Sequence, residues 1–89
     1  MATRRLLICN EKGLHARAAA RFVEAVERHD ADARVSHAGM SVSGDSIMGL
    51  LMLGAAHGVA IEVTTSGAEA EALMAALEEL VADRFGEGR

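Results

Sequence analysis

The sequence predicts an α+β fold in which a four-stranded antiparallel sheet is covered on one face by three helices. The pattern gives the element order β-α-β-β-α-β-α, with a hairpin between the second and third strands. The 89 residues suffice for one domain around one core, predicted to span 1–89 with a loose tail over 86–89. Because 51% of residues are hydrophobic and only 2% aromatic, we expect a mostly aliphatic core.

A short strand and a long helix open the chain. Residues 3–10 are rich in β-compatible side chains and are predicted to form the first strand. After a glycine-containing loop, apolar side chains recur at positions 19, 22, 23 and 26, which is the spacing of one helix face. The first helix is therefore predicted to begin at Ala16 and to end near residues 29–30.

A hairpin and a short helix occupy the middle of the chain. The strands predicted over 34–37 and 40–43 flank a turn in which Gly39 supplies a positive φ. Ser46 then stands where an N-cap belongs, ahead of an apolar helix predicted over 47–53.

The last strand and helix follow after Gly54, which is placed to end the short helix. Residues 59–65 are mostly β-branched and predict a strand, and residues 66–69 match a capping box at the start of the third helix. The apolar stripe of that helix is predicted to comprise Ala70, Leu73, Leu77, Leu80 and Val81.

The composition argues against several classes of function. Cys9 is the lone cysteine, and no His and Cys cluster has metal-ligand spacing. The longest near-apolar run, 47–56, is about half of what a bilayer span needs, and the short apolar run near the start lacks a signal-peptide cleavage site. We therefore expect a cytoplasmic protein that is not inserted into a membrane and holds no metal or cofactor.

The net charge of −4 is unevenly distributed. Residues 1–66 carry equal numbers of acidic and basic side chains, so the excess of acid lies in 67–89. Around His15 the charge is locally positive, owing to Lys12, Arg17, Arg21 and Arg28. A local cationic patch on an acidic protein favours a small anion over a nucleic acid, which a basic domain with interleaved aromatics would bind.

His15 stands at the junction between the first loop and the first helix. A helix start presents unpaired N–H groups and the positive end of the helix dipole, so an anion is stabilised there. An imidazole at this position can accept a phosphoryl group, with Arg17 and the backbone receiving its oxygens. The alternative is a plain surface histidine or weak cap, and helix-start physics alone does not decide between them.

Two separated motifs give a more specific indication. Gly13-Leu-His-Ala-Arg17, together with Ser46-Ile-Met-Gly49 and Leu53-Gly-Ala-Ala56, resembles the histidine-containing phosphocarrier (HPr) family of the bacterial phosphoenolpyruvate-dependent phosphotransferase system. The resemblance covers essentially the whole chain and implies an open-faced sandwich. It also implies a carrier rather than an enzyme: Enzyme I phosphorylates His15, which Arg17 accompanies, and His15 passes the group to an enzyme IIA domain.

The resemblance assigns a regulatory role to Ser46, as the target of an ATP-dependent HPr kinase/phosphorylase. The alternative is a plain N-cap, which requires no kinase. Asp45 stands where many relatives have a neutral or basic residue, and its charge would crowd a phosphate on Ser46. Ala18 replaces the family proline in the first helical turn and should preserve the helix.

An apolar patch for partner proteins is predicted beside His15. Six of the seven residues over 47–53 are large and apolar, which is more than one short helix can bury. We expect Leu50 and Leu53 to enter the core. The patch is predicted from Leu14, Ala16, Ile47, Met48, Leu51 and Met52.

Three functions are compatible with these residues. The first is a monomeric phosphocarrier feeding sugar uptake, and the second is the related nitrogen-type carrier, which serves regulation. The third is a docking module of the same shape that acts without phosphorylation, against which the presence of both His15 and Arg17 argues. A small metal- or amino-acid-binding domain is a weaker fourth, since ligand spacing is absent.

Overall fold

The computed structural model describes residues 1–87, and its helices and strands follow the predicted order. The strands are β1 (Ala2–Leu7), β2 (Asp32–His37), β3 (Met40–Ser43) and β4 (Ala60–Ser66). The helices are α1 (Ala16–Glu27), α2 (Ile47–Met52) and α3 (Ala70–Ala82), and a 3₁₀ turn over Arg84–Gly86 follows α3. No helix within residues 1–87 is both long enough and apolar enough to cross a bilayer.

The four strands form one antiparallel sheet in the order β1-β4-β2-β3. Leu6 lies opposite Ile61, and Val35 lies opposite Val63, and all four side chains are buried on the face that the helices cover. On the other face Arg5 lies opposite Glu62, and both are exposed. The alternation confirms the predicted sheet with one covered face and one open face.

The core lies between the covered face of the sheet and the helices. Phe22 of α1 and Leu73 and Leu77 of α3 are completely buried there. Both phenylalanines of the chain belong to this core, since Phe85 is also completely buried. The apolar stripe predicted for α3 is buried except at Leu80, which is half-buried, and Met74 is buried in addition.

α2 ends one residue earlier than predicted, at Met52, and two other elements end at least two residues early, where a nearby polar side chain bonds to the backbone. β1 ends at Leu7 rather than at residue 10, and the side-chain amide of Asn10 donates to the carbonyl oxygen of Gly13 at 2.7 Å. α1 ends at Glu27 rather than near residues 29–30, and Nδ1 of His29 lies 2.7 Å from the carbonyl oxygen of Ala25.

The capping box predicted over 66–69 is wrong. Glu69 is itself the N-cap of α3, and its side chain makes no capping bond. Its carboxylate instead accepts from the backbone N–H of Asp30 at 2.5 Å, while its own N–H donates to the carbonyl oxygen of Asp30 at 2.9 Å. The loop before α3 is therefore held by hydrogen bonds to Asp30, which lies after α1, rather than by reciprocal bonds within α3.

The segment after α3 is anchored. Phe85 is buried, and Glu87, 13% exposed in its side chain, is hydrogen-bonded to Asn10. The tail predicted over 86–89 therefore has well-defined contacts at its beginning, whereas residues 88 and 89 lie outside the described part of the chain.

Candidate functional site

The loop before His15 is held against the segment that follows α2. Gly13 has a φ of +67°, and a Cβ on it would lie 2.7 Å from the carbonyl oxygen of Ala55, so this position requires glycine. The next residue, Leu14, donates its N–H to the same oxygen at 2.9 Å. The two motifs that are distant in the sequence thus meet directly before His15.

His15 is the N-cap of α1. Its backbone is extended, with φ −87° and ψ −177°, and its carbonyl oxygen accepts from Ala19 N–H at 2.8 Å. The imidazole makes no capping bond to the helix, and 29% of the side chain is exposed. The backbone of His15 therefore begins the helix, while the ring is left for other contacts.

The ring borders an open cleft of about 620 Å³. Its lining consists of Glu11, Lys12, His15, Ala16, Arg17, Gly86 and Glu87. Lys12 precedes His15 in the loop and Arg17 lies in the first turn of α1, and both side chains are exposed. Two exposed cations thus line the same cleft as the imidazole at the N-terminus of α1, together with the carboxylates of Glu11 and Glu87, and the cations and the helix N-terminus favour an anion there.

A carboxylate contacts the ring from the far end of the chain. Oε2 of Glu87 pairs with Nε2 of His15, and Oε1 accepts from the side-chain amide of Asn10 at 3.0 Å. Asn10 is completely buried and also donates to the carbonyl oxygen of Gly13. Asn10 thus links the carboxylate to the loop that carries His15.

The charge state of Glu87 determines whether Nε2 of His15 carries a proton. Burial alone raises the pKa of Glu87, but hydrogen bonds from Asn10 and His15 and the charges of His15 and Lys12 outweigh burial and hold the pKa below its ordinary value of 4.5. The carboxylate is therefore ionised at neutral pH and can only accept. Consequently Nε2 of His15 carries a proton, and Nδ1 has no hydrogen-bond partner among residues 1–87.

The sequence pointed to part of this cleft. It placed His15 and Arg17 together, and it included Lys12 in the cationic patch. It missed Asn10 and Glu87, because their contact with His15 depends on how the end of the chain folds back. A phenylalanine just beyond the last predicted helix, Phe85, indicated only that this segment could pack against the core, and not that Glu87 would reach His15.

Ser46 is the N-cap of α2, as predicted. Its Oγ accepts from Gly49 N–H at 3.0 Å, and the residue is half-buried. The carboxylate of Asp45 accepts from Ser43 Oγ at 2.5 Å. Ala18 is buried within an uninterrupted α1, in keeping with the expectation that alanine preserves the helix.

The predicted apolar patch is only partly present at the surface. Ile47, Met48 and Met52 are 41%, 69% and 65% exposed, and Leu51 is half-buried. Leu14 was wrongly included: it is 5% exposed and belongs to the core, because the bond from its N–H to Ala55 turns the loop inward. Ala16 is exposed and lines the cleft of His15. As expected, Leu50 and Leu53 are buried.

The fold and the cleft together define a class: a small open-faced α+β sandwich with a histidine at a helix start in an anion-attracting cleft. Residues 2–83 match the family described as the PTS HPr component phosphorylation site. The chain belongs to this HPr family of phosphocarrier proteins of the phosphotransferase system, which are carriers rather than catalytic enzymes.

Named relatives agree with the family assignment. The phosphocarrier protein HPr of Neisseria meningitidis serogroup A is 43% identical over 81 residues, which are 91% of each chain. The phosphocarrier protein NPr of Shewanella violacea is 36% identical over 84 residues, covering 94% of this chain and 92% of its own.

Solved structures share the fold. HPr-C-His from Thermoanaerobacter tengcongensis superposes with a TM-score of 0.93 at 33% identity and covers 98% of both chains. A structure titled as an HPr dimer from the same organism has a TM-score of 0.77 at 33% identity, covering 98% of this chain and all of its own.

Proposed function

We propose that this chain carries a phosphoryl group on His15, taken from phosphoenolpyruvate-charged Enzyme I and passed to an enzyme IIA domain. The observation that carries the proposal is the position of the ring: it lies at the N-terminus of α1, in an open cleft shared with Arg17 and Lys12. Family membership supports Enzyme I as the donor and an enzyme IIA domain as the acceptor, and the residues of the cleft support transfer to the ring.

Nδ1 is the nucleophile in this proposal, since Nε2 is engaged by Glu87. Its lone pair forms the N–P bond while the bond from phosphorus to the donor breaks, and the donor keeps that electron pair. The guanidinium of Arg17 and the ammonium of Lys12 are positioned to offset the charge of the phosphoryl oxygens. Transfer to the acceptor reverses the same step, so the histidine is regenerated unchanged.

The output of the relay is sugar uptake, regulation or both. An NPr is among the named relatives, so the nitrogen-type regulatory branch is the second candidate. A docking module that acts without phosphorylation is disfavoured, because it would not need an imidazole in a cleft that Arg17 and Lys12 also line. We place the carrier in the cytoplasm as a monomer, a form suited to visiting several partners in turn.

Partners are proposed to dock on the exposed side chains of α2, which are Ile47, Met48 and Met52, with Leu51 and Ala16 at the border. Methionine is flexible and polarizable, so one surface of this kind can fit several partners. Residues Leu50 and Leu53 hold the opposite side of the segment in the core.

Ser46 is the proposed regulatory site for an HPr kinase/phosphorylase. A phosphate there would stand at the start of α2, where a negative charge is tolerated, but next to the apolar docking side chains of Ile47 and Met48. The charge would impair docking rather than folding. Asp45 adds a carboxylate next to the site, which makes phosphorylation of Ser46 less favourable.

Intact mass tests the carrier directly. The wild type and His15→Ala are incubated with Enzyme I and phosphoenolpyruvate, and each sample is read before and after acid treatment. One acid-labile phosphoryl adduct on the wild type alone supports the proposal, since phosphohistidine is lost in acid and phosphoserine is not. No adduct on the wild type, or an adduct that persists in His15→Ala, rejects it.

A further inference from the structure

We propose that Glu87 is a positioning residue for phosphoryl transfer, which holds the Nε2 proton of His15 and stabilises the positive charge that develops on the ring. The inference rests on the proposed function of His15. Because Glu87 lies at Nε2 and the reaction occurs at Nδ1, Glu87 contacts neither the donor nor the phosphoryl group. It acts through the imidazole, as a carboxylate behind a histidine does in other sites where the ring must keep one orientation and one tautomer.

The turn that follows α3 brings this carboxylate to the ring. Arg84 and Phe85 both have a φ of +54°, a left-handed conformation that costs free energy in residues with a side chain. Phe85 is completely buried, so its burial offsets that cost and fixes the turn. Glu87 follows two residues later and pairs with His15. A loose tail would require neither the strained turn nor the buried anchor.

Asn10 also fixes the orientation of the Glu87 carboxylate. The buried amide of Asn10 donates to Oε1 of Glu87 at 3.0 Å and to the carbonyl oxygen of Gly13 at 2.7 Å. Because Gly13 lies two residues before His15, the same side chain fixes the position of the carboxylate and of the loop that carries the ring. Asn10, Glu87 and His15 thus form one hydrogen-bonded chain.

The chemical step shows why a carboxylate is useful at this point. The ring reacts in its neutral form, with its proton on Nε2 and the lone pair of Nδ1 free. When the Nδ1 lone pair forms the bond to phosphorus, the ring becomes an N-phosphoimidazolium and the proton remains on Nε2, shared with Glu87. The negative carboxylate offsets the new positive charge at that moment, and it offsets the same charge until the phosphoryl group leaves, when the acceptor's own lone pair bonds to phosphorus and the N–P electron pair returns to Nδ1.

A small chemical donor separates this role from protein docking. Phosphoramidate transfers its phosphoryl group to imidazoles, with the P–N bond breaking and ammonia leaving with the electron pair. The rate of adduct formation on His15 is measured by intact mass for the wild type, Glu87→Gln and Glu87→Asp, between pH 5.5 and about 8. The matched control is Glu71→Gln, which removes an exposed carboxylate from the first turn of α3. Thermal unfolding of each variant reports whether it is folded.

We expect Glu87→Gln to react roughly tenfold more slowly than the wild type, which is the lower end of the loss seen when the hydrogen-bond partner of a metal-binding histidine is removed. Glu87→Asp should recover part of that loss because it retains the charge, and Glu71→Gln should react at the wild-type rate. A Glu87→Gln rate equal to or above that of the wild type overturns the positioning role, as does a Glu87→Asp rate no higher than that of Glu87→Gln. If the wild type forms no adduct on His15 with either this donor or charged Enzyme I, the proposed function itself fails.

Discussion

Leu14 donates its backbone N–H to the carbonyl oxygen of Ala55 at 2.9 Å, one residue before the histidine of the cleft. This bond joins the first loop to the segment after α2. It therefore fixes the position from which α1 begins and from which the ring of His15 enters the cleft.

Replacing Gly13 with alanine should destabilise the protein through this junction. The residue combines a φ of +67° with a Cβ position 2.7 Å from the oxygen of Ala55. Left-handed strain and the steric clash together should lower the free energy of unfolding by about 3 kcal/mol, measured by urea denaturation. Gly58→Ala is the matched control, since Gly58 has a φ of +87° but open space around its Cβ position, and it should lose only about 1–2 kcal/mol. Equal losses in the two variants would show that the close approach to Ala55 is unimportant.

Two substitutions of Ser46 separate its structural role as the N-cap of α2 from its proposed regulatory role. Ser46→Ala removes the bond to Gly49 N–H and should lower the free energy of unfolding by about 1 kcal/mol. Ser46→Asp retains a good cap and should leave stability nearly unchanged, while its added charge next to Ile47 and Met48 slows phosphorylation by Enzyme I. A Ser46→Asp variant phosphorylated as fast as the wild type would argue against control of docking at this site.

Met48 provides the sharpest test of the docking surface. Its side chain is 69% exposed, so Met48→Asp should change the free energy of unfolding by no more than about 0.5 kcal/mol. The same variant should raise the KM of Enzyme I for this chain roughly tenfold. The control is Leu7→Asp, which places a charge at another exposed apolar side chain on the open face of the sheet and should leave KM unchanged. Similar KM values for Met48→Asp and the wild type would remove α2 from the docking surface.

The pairing of Glu87 predicts how stability depends on pH. Its pKa lies below the ordinary value of 4.5 in the folded protein, because the bonds from Asn10 and His15 outweigh its burial. The resulting stabilisation is fully present above the unfolded pKa and is lost as the pH falls through the folded pKa. The wild type should therefore be more stable than Glu87→Gln at pH 6–7, and the difference should shrink below about pH 4.5. Thermal unfolding across that range measures it, and a difference that grows as the pH falls below about 4.5 would contradict the assignment.

Most of the fold was predictable because it follows from local periodicity. Alternation along the strands and the 3.6-residue spacing in α1 depend only on neighbouring residues, so the order of elements and the covered face were correct. The errors arose where a tertiary contact outweighed a local pattern. Glu69 binds Asp30 instead of completing a capping box, and Leu14 turns into the core because of Ala55.

The residues of the site were likewise predictable only where they stand in a local pattern. His15, Arg17 and Ser46 stand in contiguous motifs at helix starts, where the backbone determines what a side chain can do. Glu87 follows more than seventy residues after His15 and reaches it only through the turn that buries Phe85. No local pattern connects the two residues, so their pairing could be found only from the folded chain.

A pulse-chase measurement tests most directly whether this chain passes a phosphoryl group from His15 to an acceptor. The chain is phosphorylated on His15 and freed of Enzyme I and phosphoenolpyruvate, an enzyme IIA domain is added, and the intact masses of both proteins are followed with time. If the chain is a carrier, its adduct disappears much faster than in the absence of acceptor, and an equal amount appears on the acceptor. An adduct that decays to inorganic phosphate at the same rate with or without acceptor would contradict the carrier function.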